Sequence, residues 1–65
     1  MLVVVITFKD NIIKEDNVTR YGIDNNVLFV EKTLFHARGK KSKWINTYYP
    51  LYNIIKYEVY NEEWY

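Results

Sequence analysis

Residues 2–9, "LVVVITFK", constrain what this chain can fold into more than any other stretch. β-Branched and aromatic side chains fill it, and such residues suit a pleated, half-buried surface. Period two puts Leu2, Val4, Ile6 and Phe8 on one face and Val3, Val5, Thr7 and Lys9 on the other. Its first half is apolar on both faces, which predicts a central strand or one covered by a partner. A helix crossing a bilayer needs about 20 apolar residues, and no apolar run here reaches that. The run also lacks the basic start of a signal sequence. The chain reads as a soluble, intracellular protein.

The remaining segments repeat the strand pattern. "KDN" is a turn, and "IIKEDNVTRYGI" returns as a second strand, interrupted near Asp16-Asn17 where two turn formers break the alternation. Gly22 in that stretch marks a candidate bulge. "DNN" at 24–26 is the next turn. "VLFVEKTLFHA" follows; Val27, Val30 and Leu34 would also suit a helix, but β-branched and aromatic content favours strand. "RGKK" supplies a third turn, with Gly39 available for a left-handed conformation. "SKWINTYY" then alternates Lys43, Ile45 and Thr47 with Trp44, Asn46 and Tyr48. Pro50 cannot sit inside a central strand, so residues 50–53 are expected to form one 3-10 turn. "IIKYEVY" resumes alternation, with Ile55, Tyr57 and Val59 facing one way. The expected architecture is one all-β domain over residues 1–65, a five-stranded antiparallel barrel or strongly bent sheet.

A chain of 65 residues has a marginal core, burying only about 60% of its unfolded surface. Disulfides and thiolate metal sites are excluded by the absence of cysteine. Dense packing or self-association remains, and twelve aromatic residues suit either. A homodimer is expected.

The stretch "YYPLYNIIKYEV" and the strand count resemble the SH3-like small barrels, in which a single turn precedes the last strand. The ALYDY-type stretch of the SH3 peptide groove is missing, so binding of proline-rich ligands is not implied. "TFKDN", "NVTRY", "NNVLFVEK" and "WINTYYPLYNI" resemble segments of small uncharacterised all-β accessory proteins of phages and prophages of low-GC Gram-positive bacteria. The last carries extra residues before Pro50. Residue usage agrees with that source: Asn, Ile, Lys and Tyr number seven each, against one Ala, one Pro and two Gly. The resemblance implies an accessory protein that binds and blocks a host protein, defence components included.

Two surfaces are candidates for contact. Arg38, Lys40, Lys41 and Lys43, followed by Trp44, combine phosphate-binding charge with a ring for base stacking. The same residues also read as a solubilising hairpin tip, with Trp44 turned into the core. The second surface is the aromatic C-terminal stretch, with Tyr57, Tyr60, Trp64 and Tyr65. Such rings anchor protein interfaces; equally they can fold back onto their own barrel or dock on a second copy.

Chemistry is poorly provided for. Glu15-Asp16 and Glu62-Glu63 are neighbours whose side chains diverge on a strand, so they read as solvated charge rather than metal ligands. His36 has no nucleophile at a motif-like spacing, and no glycine-rich phosphate loop exists. Neither catalysis, a metal nor a cofactor is expected. The leading expectation is a binding protein that occupies a partner's surface; the alternative is a small barrel that binds nucleic acid through the 38–44 loop.

Overall fold

The computed structural model describes residues 1–34 and 43–62. The chain runs through β1 (Leu2–Phe8), β2 (Ile12–Glu15), β3 (Val18–Asp24), β4 (Val27–Leu34), β5 (Lys43–Pro50), a 3-10 turn (Leu51–Asn53) and β6 (Ile54–Asn61). These strands form two antiparallel three-stranded sheets, ordered β2-β1-β6 and β3-β4-β5. Among the described residues they do not close into one hydrogen-bonded barrel.

The doubly apolar β1 takes the centre of its sheet, as its composition requires. The stretch expected as one interrupted strand becomes two strands in different sheets, so the described residues form six strands rather than five. Asn17 explains the change. Its φ of 54° lies in the left-handed region, which turns the chain sharply between Glu15 and Val18. Asn25 and Asn26 have φ of 50° and 61°. Two positive-φ residues between the paired Asp24 and Val27 make the turn whose twist suits a two-residue hairpin. The backbone N–H of Leu51 donates to the Asn26 carbonyl at 2.9 Å, tying this turn to the 3-10 turn after Pro50.

Cross-strand pairs share a face, so the register fixes which side chains meet. Val4 and Ile6 of β1 pack with Val18 of β3 and with Leu28 and Val30 of β4 in one buried cluster. Leu2, Phe8, Tyr49, Leu51, Ile54 and Val59 close around it. Each fully buried aliphatic side chain contributes about 1.5–3 kcal/mol. Phe8 and Tyr49 join the sheets through rings 5.8 Å apart and tilted by 51°, a favourable aromatic geometry.

Two local expectations are corrected by register. The bulge in the second strand lies between Val18 and Arg20 rather than at Gly22. Gly22 is needed for another reason: a Cβ there would lie 2.8 Å from the Phe29 ring. On β6, pairing with β1 shifts between Thr7 and Phe8, so Lys56 lies opposite Thr7 and Ile54 opposite Phe8. Ile54 thereby packs on the core while Ile55 is left exposed, breaking the anticipated Ile55–Tyr57–Val59 face.

Candidate interaction surfaces

The register places Trp44, Asn46 and Tyr48 of β5 on the same side as Thr33, Glu31 and Phe29 of β4. Leu28 and Val30, the alternating β4 residues, are buried, so this side faces outward. Trp44 is 58% exposed and Tyr48 64% exposed. Trp44 therefore does not enter the core. Asp24, Asn25, Val27, Phe29 and Tyr48 line a shallow hollow of about 280 Å³ on this face. Its lining is mostly apolar, with Asp24 and Asn25 adding polar groups. Phe29 is held by its neighbours: Gly22 leaves room for its ring, whose Cε1 and Cζ come nearest, and the Arg20 guanidinium sits 5.5 Å from the ring centroid. Arg20 in turn donates to Glu31 at 3.2 Å. Tyr52, on the 3-10 turn, is among the most exposed rings of the chain.

β5 is an edge strand, paired only with β4 among the described residues. Aromatic side chains on an exposed sheet face beside an open edge are the makings of a protein-binding surface. Of the basic segment, Arg38, Lys40 and Lys41 lie outside the described residues, as does His36. Lys43 is exposed but alternates with Trp44, so the two side chains leave opposite faces of β5. The structure thus brings Trp44 together with Tyr48 and Phe29 on one face, a grouping that sequence reasoning did not single out. The signal was present in the alternation of Trp44, Asn46 and Tyr48.

The C-terminal surface divides. Tyr57 pairs with Ile6 and Tyr60 with Val3, residues on opposite faces of β1. The two tyrosines cannot form one patch; Trp64 and Tyr65 lie outside the described residues. Tyr60 belongs to the outer face of its sheet, where Val3 is fully buried although it points away from the core cluster. Lys14 of β2 lies on that outer face, and its ammonium is 3.6 Å from a Glu62 oxygen and 3.9 Å from Asp16. Because β2 and β6 flank β1, the Lys14–Glu62 pair bridges over the central strand. Glu62, Tyr60 and Asp16 together raise the Lys14 ammonium above the usual lysine range.

One polar cluster faces the other way. Glu15, expected as solvated charge, shares the core side of β2 with Ile13, because their β1 partners are Val4 and Ile6. Its carboxylate accepts a hydrogen bond from the Tyr49 hydroxyl at 2.7 Å and pairs with the Lys32 ammonium at 2.9 Å. The side chains are only 13% and 24% exposed for Glu15 and Lys32. This cluster clamps β2 of one sheet to β4 and β5 of the other. Burial would push the Glu15 carboxyl up, but hydrogen bonds from Lys32 and Tyr49, with the lysine's charge, hold it below the usual range. Burial first, then the hydrogen bond to Glu15 and its charge, push the Tyr49 phenol well above the usual tyrosine range. The cluster is read as a structural clamp.

Among the described residues, no group of three or more His, Asp or Glu side chains is placed to hold a metal ion. Among them, too, no helix is long and apolar enough to cross a membrane. No protein-family model, curated protein or solved structure matches the chain.

Proposed function

We propose that this chain is a non-enzymatic binding protein whose outer β3-β4-β5 face occupies the surface of a partner protein. The observation that carries this reading is the outward placement of Trp44 and Tyr48 on one face of an edge strand, with Tyr48 and Phe29 lining an open hollow. Rings left in water next to an apolar depression are the residue types that anchor interfaces. Residue usage and the phage-protein resemblance support a phage or prophage setting. There the protein would inhibit a host protein in the bacterial cytoplasm, with components of defence among the candidates. We read the two sheets as an SH3-like small barrel left open; the bend at Asn17 and the 3-10 turn before β6 support that reading.

The test is affinity capture from host lysate with the wild type and with the double variant Trp44→Ala, Tyr48→Ala. A host protein retained by the wild type and lost by the double variant supports the proposal, provided circular dichroism shows both folded. Equal retention refutes it.

The outward Trp44 also favours a second reading, in which its ring stacks on a nucleobase beside the basic segment. That reading requires binding that weakens steeply with salt. Failure to retard single-stranded DNA or RNA in dilute buffer would end it.

A further inference from the structure

We infer that the free edge of β6 is a self-pairing site, through which two copies join their β2-β1-β6 sheets into one six-stranded sheet about a two-fold axis at Tyr57. The inference uses a different sheet from the proposed binding face and does not depend on it.

The backbone sets the geometry. Met1 and Glu62 exchange two hydrogen bonds, each 2.8 Å long. In an antiparallel ladder such doubly bonded pairs alternate with unbonded ones. The register continues through Val3–Tyr60, Val5–Glu58 and Thr7–Lys56. Tyr60, Glu58 and Lys56 therefore spend their backbone groups on β1. Asn61, Val59 and Tyr57 aim theirs at the open side, where no strand pairs among the described residues. An unpaired edge of this length is a template for another strand.

Charge selects both the partner and the register. Lys56 and Glu58 share the outer face, 63% exposed each, and form an ion pair along the strand at 3.4 Å. With the axis at Tyr57, Lys56 lies opposite Glu58 of the second copy, and Glu58 opposite its Lys56. The four charges then alternate in sign both along and across the strands. An axis at Lys56 sets lysine against lysine, and one at Glu58 sets glutamate against glutamate, both unfavourable. An axis at Val59 sets Lys56 against Glu62, which already serves Lys14. The Tyr57 axis also sets Ile55, which is exposed in the single chain, against Val59 of the second copy. The edge of β3 offers Arg20 and Asp24, but Arg20 is engaged with Glu31 and Phe29.

Sedimentation equilibrium over a dilution series at low salt tests this, with Lys56→Glu and Glu58→Lys as variants. Both sites are exposed, and circular dichroism verifies the fold. Each variant alone places like charges opposite one another twice, so its dimer dissociation constant should rise about tenfold or more. An equal mixture should regain the wild-type assembly as a heterodimer, because one chain then presents two glutamates to the other's two lysines. The double variant Trp44→Ala, Tyr48→Ala should dimerise like the wild type. The inference is overturned by a wild type that stays monomeric throughout, by either charge variant associating as the wild type does, or by a mixture no tighter than its components.

Discussion

Replacing Glu15 with alanine removes the polar clamp between the sheets and leaves two groups stranded. Tyr49 loses the acceptor 2.7 Å from its hydroxyl, and Lys32 loses the carboxylate 2.9 Å from its ammonium. A hydrogen bond to a charged group contributes about 1.5–3 kcal/mol. Lys32 keeps some contact with water at 24% exposure, so its stranded charge costs less than a fully buried one. We therefore expect a loss of about 2 kcal/mol at neutral pH. For a domain of this size each kcal/mol corresponds to about 4–8 °C, so the midpoint should fall by about 8–16 °C. Glu15→Gln, which keeps an acceptor without the charge, should cost about half as much. The assay is urea unfolding followed by circular dichroism, repeated from neutral pH downward. Because the folded carboxyl is depressed, its contribution is complete above the unfolded glutamate's range. It is lost as pH falls through the folded value, so wild type and Glu15→Ala should converge in acid. A variant within about 0.5 kcal/mol of wild type at neutral pH would refute the clamp. So would a deficit that persists unchanged in strong acid.

The raised Tyr49 phenol should appear in a spectrophotometric titration of the folded protein as a tyrosine that ionises well above the usual tyrosine range. Its contribution to stability is present below the unfolded tyrosine's range and lost as pH rises through the folded value; Tyr49→Phe should remove the late step. Gly22→Ala drives a methyl to 2.8 Å from the Phe29 ring and should cost about 1–2 kcal/mol in urea unfolding; cost-free substitution would disprove that contact. Asn26→Val forces a β-branched residue into φ of 61° and should cost about 1–2 kcal/mol, whereas Asn26→Gly should match or exceed wild-type stability in the same assay.

Local chemistry made much of this fold legible. The doubly apolar start of β1 predicts a central strand, and the asparagines at 17, 25 and 26 mark the places where φ turns positive. Pro50 ends β5 and the 3-10 turn follows at once. What stayed hidden depends on contacts between distant segments. Glu15 looks like solvated charge until Tyr49, 34 residues away, is seen to donate to it. The Ile54–Ile55 exchange follows from a register shift opposite Thr7 and Phe8, which alternation within β6 cannot reveal. Trp44 could face either way on its own; pairing with Thr33, out of phase with buried Leu28 and Val30, turns it outward. The aromatic C-terminal stretch looks like one surface, yet strand parity sends Tyr57 and Tyr60 to opposite sides.

Aliphatic side chains seal the two sheets together and leave Trp44 outside. Nuclear Overhauser contacts in a methyl-labelled sample measure this most directly. The prediction is cross-peaks linking the methyls of Val4 and Ile6 with those of Leu28 and Val30, and none from the Trp44 ring to any of the four. Strong contacts between the Trp44 ring and those methyls, or none between β1 and β4, would contradict it.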